Sequence, residues 1–253
     1  MLKKLLLLIA FCLCFLARVE AASIEIINVD ASEEDINDVY DAVQVAEQYM
    51  SENFPEHALI MNVKIYVSTS EQPNLFSLSE LKSDRVGGRS KMGLINVITS
   101  GERKGYRLKF LTVHELIHQH QASVLGGMQS LKKNMWLTEG MADILALHIL
   151  DNPEMNHRFL YNAKMKIGEQ FTLGQITPSK GWNEVFHTGR HPYAKAGLAC
   201  EYLYQNFPTE NFFKVIEELP FRTPDEALQK VYGFSIHELE SYAGLTVDDL
   251  LDE

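Results

Sequence analysis

Cysteine is almost missing from this chain. Its 253 residues hold three, Cys12, Cys14 and Cys200, and the first two fall in an N-terminal stretch that reads as a removable signal. Cys200 alone cannot form an internal disulfide, so core burial must hold the mature fold even in an oxidising compartment. Positive charge is short as well. Lys and Arg number 23 against 34 Asp and Glu, a net charge of −11. Such a balance argues against nucleic acid or an anionic membrane as a general partner. A bilayer-crossing run is also lacking at the N-terminus. The apolar stretch of residues 5–16 is twelve long, well short of the roughly 20 that a spanning helix needs. Internal repeats and low-complexity tracts do not occur.

That short run has a use. Lys3 and Lys4 precede it, and Val19-Glu20-Ala21 puts small residues at −3 and −1. This is the layout of a secretory signal cleaved before Ala22. A lipoprotein signal would need a small residue before its cysteine, and Phe11 and Leu13 stand there instead. An uncleaved N-terminal anchor is the other reading. Cleavage implies export to a periplasmic or extracellular space, with no stable membrane association afterwards. It leaves 232 residues with 20 basic and 33 acidic side chains, a net charge of −13. That length suits one large domain or two small ones sharing a cleft.

The chemistry begins at residues 111–120, L-T-V-H-E-L-I-H-Q-H. His114, Glu115 and His118 form an H-E-x-x-H pattern. Residues four apart lie one above the other on a helix, so His114 and His118 can turn two imidazoles to one metal ion. Glu115 sits one residue round, within reach of a metal-bound water but outside the ligand pair. No Gly or Pro interrupts residues 106–125. A helix that merely carries two His and a Glu remains the plain alternative.

A second motif weighs against that alternative. Glu139 follows His118 with twenty residues between them, in M-W-L-T-E-G-M-A-D-I-L-A. Catalytic zinc sites commonly use three protein ligands and leave the fourth position to water. His114, His118 and Glu139 make such a set, with Zn2+ as the expected cofactor. Asp143, one turn beyond Glu139, can accept the outer N–H of a ligating His. A structural zinc site would be closed by four Cys or His, and one cysteine makes that reading weak. His120 and His148 fall on other faces of their helices and read as non-ligands.

H-E-L-I-H-Q followed by W-L-T-E-G-M-A resembles the gluzincin metallopeptidases, above all the M1 aminopeptidase-like and peptidase MA-like branch. The resemblance is motif-level from His114 to Asp143 and pattern-level elsewhere. It implies an α+β, thermolysin-like catalytic domain: a small mixed sheet with an N-terminal helix, a zinc-binding helix pair, and a mostly helical C-terminal half. It also implies a peptide or protein substrate. Glu115 would then be the general base that takes a proton from water and delivers it to the leaving amine. A catalytically silent gluzincin-like domain that binds zinc or a protein partner is the alternative; the presence of Glu115 argues against it.

Around the motifs the pattern reads strand, helix, strand. Residues 23–29 are strand-like. Residues 33–54 are helical behind an N-cap at Ser32, with Glu33, Glu34 and Asp35 at the positive end of the helix dipole. Residues 61–67 alternate as a strand, and 71–85 read as a polar loop. In 87–99, Gly87-Gly88 opens the stretch and M-G-L-I-N-V-I-T then reads as a strand running up to the motif helix. By resemblance this is an edge strand that pairs with extended substrate; a plain interior strand is the alternative. Its sequence, G-R-S-K-M-G-L, has no acid where M1 enzymes hold the substrate's α-amino group, which favours an endopeptidase over an aminopeptidase. After Gly126-Gly127 come a connector at 129–136, helices at 137–150 and 156–168, a loop-rich stretch at 171–191, helical tracts at 193–207 and 211–219, and shorter helices at 224–232 and 235–242. The acidic run at 248–253 reads as a solvated tail. The organisation is thus a signal at 1–21, an N-terminal α/β half at 22–125 and a helical half at 126–253.

One further residue comes from the resemblance. H-P-Y-A-K-A-G stands where M1 enzymes have P-Y-E-K-G, whose Tyr hydrogen-bonds the oxyanion. Tyr193 is the matching residue, with Gly197 four residues on rather than three. One oxyanion donor contributes a factor of about 10²–10³ in rate. His187, Arg190 and His191, in the same loop, are its rivals.

Overall fold

The computed structural model describes residues 22–59, 61–70, 88–99, 103–166, 171–188 and 191–245. The expected signal at 1–21, the loop at 71–85, Gly189, Arg190 and the acidic tail at 248–253 lie outside the described residues.

The N-terminal part is a β-α-β unit extended by a hairpin. Strand β1 (Ile24–Asn28) leads into helix α1 (Glu33–Asn53), which returns the chain to β2 (Val63–Ser68). The β1 and β2 strands are parallel, as a helical crossover requires. Ser32 caps α1 by accepting the Asp35 N–H, with three acids in the first turn. Val39, Ala42, Ala46 and Met50 form its buried stripe, and Val63, Ile65 and Val67 are the buried alternate residues of β2.

The stretch 87–99 holds two strands where M-G-L-I-N-V-I-T alone was expected to form one. Strand β3 (Gly88–Lys91) turns through Met92 and Gly93 into β4 (Leu94–Ile98). Gly93 takes a φ of 71°, a left-handed conformation that glycine adopts at little cost, and this converts a run into a hairpin. The sheet order is β1-β2-β4-β3. The β4 strand is therefore interior, parallel to β2 and antiparallel to β3. Among the described residues, β3 is the edge.

The rest is helical. Helix α2 (Tyr106–Leu125) is uninterrupted for 20 residues and ends at Gly126, where the Gly127 N–H caps the Ala122 carbonyl at 2.9 Å. A short helix α3 (Met128–Leu131) occupies the expected connector, and α4 (Met135–Ile149) follows. Then come α5 (Pro153–Lys166), α6 (Ser179–His187), α7 (Pro192–Asn206), α8 (Asn211–Glu218), α9 (Pro224–Tyr232) and α10 (Ile236–Tyr242). The α6 helix corrects the expectation of a loop-rich 171–191. Its Trp182 and Val185 are buried, so packing makes a helix of a stretch whose Pro and Gly suggest loop.

The α4 helix is the hub. Twelve of its fifteen residues are buried, which is why it is apolar nearly all round. It packs on α2 along one side and on α7 along the other. Gly140 makes the second contact possible: a Cβ there would overlap the Ala196 carbonyl oxygen and come within 2.8 Å of the Cys200 sulfur. The residue next to Glu139 is thus fixed by helix packing. A single hydrophobic core runs from Val39 to Leu245 and joins both halves. The molecule is an α+β protein, mostly helical, with a small mixed sheet. No helix among the described residues is long and apolar enough to cross a membrane.

Candidate metal centre

His114 and His118 lie one turn apart on α2, and Glu139 faces them from the first turns of α4. The two ring planes stand at 90° with centroids 4.7 Å apart. His114 Nε2 is 3.1 Å from His118 Nε2. Glu139 Oε2 is 3.4 Å from the first nitrogen and 3.5 Å from the second. A tetrahedral ion with bonds of about 2.0–2.1 Å separates its ligand atoms by about 3.3–3.4 Å. The three atoms therefore span a triangle of the right size to hold a metal ion.

The outer nitrogens explain the convergence. Asp143, on the same face of α4 as Glu139, brings Oδ1 to 2.8 Å from His114 Nδ1. That contact is ion-pair close without strict hydrogen-bond alignment. His118 Nδ1 lies 2.8 Å from Gln121 Oε1. The amide end of Gln121 is already spent, since its Nε2 donates to the Thr138 carbonyl at 3.0 Å. The oxygen must then accept, and His118 carries its proton on Nδ1. With the proton on Nδ1, a neutral His118 turns its Nε2 lone pair inward, and a proton on His114 Nδ1 facing Asp143 does the same for that ring, the tautomer that metal ligation needs. Gln121 also ties α2 to the turn of α4 that carries Glu139. Sequence reasoning missed it. Its signal is a polar residue three positions after the second His, on the same face, and nothing in the pattern singles that out.

The charges point the same way. Burial disfavours a charged His114, yet Asp143 and Glu139 outweigh burial and hold its imidazole well above the ordinary range. His118 is likewise raised, with Glu139 overcoming burial. Burial pushes Glu139 up, but the two imidazoles more than reverse that and hold its carboxyl well below the usual range. In Asp143 burial wins and the carboxyl is raised. The pocket favours positive charge where its three donor atoms meet.

Glu115 is buried beside the ligands, 7 % exposed. Tyr193 stands at the second position of α7, outside the triangle. Its ring packs edge-on against Trp182 at 4.8 Å and Phe186 at 6.2 Å, so α6 positions it. Crowding around the phenol, then the charges of Glu139, Asp143 and Glu115, push its pKa well above the ordinary range. The residue is 37 % exposed, so the crowding belongs to the side facing the carboxylates. It stays a protonated donor. Of the rivals, His187 and His191 are exposed.

The other histidines on these helices bind no candidate ion. His120 Nδ1 meets the His57 carbonyl at 2.9 Å and its Nε2 meets Glu47 at 3.0 Å. His148 stacks on Tyr204 and reaches Glu201 at 3.0 Å. One more contact steadies the centre: Gln119 accepts the Gly93 N–H at 2.9 Å and donates to the Lys91 carbonyl at 3.0 Å. It pins the β3–β4 hairpin to α2. Comparison with protein-family models, with curated proteins and with solved structures finds no match to this chain.

Proposed function

We propose that this protein is an exported zinc-dependent peptide hydrolase of the gluzincin type, with a thermolysin-like catalytic domain. The observation that carries the reading is the convergence of two imidazole nitrogens and a carboxylate oxygen at 3.1–3.5 Å, with a further buried carboxylate, Glu115, next to the first histidine. A two-His, one-carboxylate set with an open fourth position is a catalytic zinc arrangement.

When bound, zinc supplies Lewis acidity that makes water nucleophilic near neutral pH. The chain's own groups do the rest. Asp143 and Gln121 keep the imidazoles in the ligating tautomer. Glu115 accepts the proton of the attacking water and returns it to the leaving amine. Tyr193, held protonated, donates to the oxyanion of the tetrahedral intermediate. The β3 edge, fixed to α2 through Gln119, is the strand on which an extended peptide pairs. Since this hairpin brings no acid for a substrate's α-amino group, N-acetylated and free peptides should be cut at similar rates.

Glu115→Gln is the test. It should bind zinc as the wild type does and lose about 10²–10⁴ in kcat, measured by metal analysis beside digestion of a peptide library. A Glu115→Gln protein that digests the library at the wild-type rate would remove the mechanism.

A further inference from the structure

A cleft of about 720 Å³ opens beside the metal centre, between the start of α2, α5 and the start of α7. Two contacts join it to the centre. Tyr193 lines it, and Phe110 lines it with its ring 6.2 Å from that of His114. Its inner wall is apolar: Phe110, Leu111, Leu147, Met155 and Phe159. Phe110 and Phe159 pack together at 6.0 Å. The polar lining is one-sided. Lys104, Arg107, Arg158 and His191 all line the cleft, and among the described residues no Asp or Glu does. The bias runs against the composition, since acids outnumber bases 34 to 23. Lys104 Nζ stands 3.9 Å from Asp35 Oδ2. Arg158 is exposed and makes no ion pair or hydrogen bond with any described residue.

An apolar wall under a cationic rim has a definite complement: a bulky apolar side chain with a carboxylate close to it. The structure assigns this cleft, on the proposed peptidase reading, as a specificity pocket for peptides that carry a carboxylate next to an apolar residue. The carboxylate comes from an Asp or Glu side chain or from the peptide's own C-terminus. A guanidinium such as that of Arg158 at the rim of a low-dielectric cleft acts as a selective counter-charge, raising the local concentration of acidic peptide and rejecting basic ones.

The experiment uses the full mature chain loaded with zinc and peptides that differ only around one Phe. Three carry Glu, Gln or Lys on both sides of it. A fourth pair, with Gln flanks and Phe near the end, is made as free acid and as C-terminal amide. The expected kcat/KM order is Glu over Gln over Lys, the extremes differing by at least about fivefold, the size of one exposed ion pair. Arg158→Glu should reverse that order. A free-acid preference that Arg158→Glu abolishes would identify the C-terminal carboxylate as the source. Equal rates for all five peptides would overturn the assignment while leaving the peptidase reading intact. If none is cut, the peptidase reading falls. The assignment then stands or falls on fluorescence anisotropy of the same peptides, labelled, with Glu115→Gln protein: tighter binding of the acidic members supports it, and equal or absent binding overturns it.

Discussion

Helix α2 carries two buried histidine clusters, and they differ in one respect. On one side, His120 spends both nitrogens on oxygens, the His57 carbonyl and Glu47. On the other side, His114 and His118 spend only their outer nitrogens, on Asp143 and Gln121. Their inner nitrogens face each other at 3.1 Å, with a carboxylate oxygen as the third corner. Burial and a nearby Glu are common to both. What separates a ligand from a packing histidine is the count of lone pairs left over. Two imidazole nitrogens and a carboxylate oxygen aimed at one point favour a positive charge between them, whether protons on the rings or a metal ion. In the first cluster both ring nitrogens face oxygens, and in the second the inner pair face each other and a carboxylate.

The comparison is sharpest when a ligand is removed. His118→Ala should drop metal content from about one equivalent to near zero, since two protein donors seldom hold a catalytic zinc ion. Metal analysis of the two proteins, dialysed against the same buffer, decides it. Equal content would strike His118 from the ligand set and collapse the difference between the clusters. Tyr193→Phe probes the next level out. It should cost about 10²–10³ in kcat with KM unchanged, as for one oxyanion donor, and zinc content should hold. Should His191→Ala remove the activity instead, the donor is that histidine and Tyr193 only packs.

Smaller again is the effect of the hidden partner. Gln121→Ala frees the outer nitrogen of His118, so the ring loses its tautomer lock. Zinc Kd should rise about 10–100-fold, the usual cost of losing such a partner. A competition titration against a chelating dye measures it. An unchanged Kd would show that the lock is dispensable and that ring packing alone orients His118.

These residues also show how much could be read from the chain beforehand. The convergence of His114, His118 and Glu139 is written in helix periodicity and in one separation, both of which survive folding unchanged. So is the α1 stripe, from Val39 to Met50. Gln121 is not legible, because its role depends on the Thr138 carbonyl, which α4 brings to it across a tertiary contact. The edge of the sheet was not legible because Gly88-Arg89-Ser90-Lys91 holds no strand-former; it becomes β3 by pairing with β4 across the Gly93 turn. The α6 helix was hidden by Pro178, which in fact stands at its N-cap. Its helical character comes from burying Trp182 against Tyr193, a contact no local signal announces.

The smallest effect belongs to the complete cluster. His120→Ala leaves the buried His57 carbonyl and one oxygen of Glu47 without partners, and removes a ring that is 1 % exposed. Losing a hydrogen bond while leaving a buried acceptor unpaired costs about 1–3 kcal/mol. The stability should fall by that amount in urea, measured on metal-free protein so that the free-metal concentration does not enter either midpoint. Zinc stoichiometry and Kd should not change, since His120 projects away from His114 and His118. His120→Gln is the control for packing: its amide can still donate to one of the two oxygens, so part of the loss should return. If His120→Ala instead lowered zinc content as His118→Ala does, the two clusters would be coupled through α2. The count of spent lone pairs would then be a poor guide to which histidines bind metal.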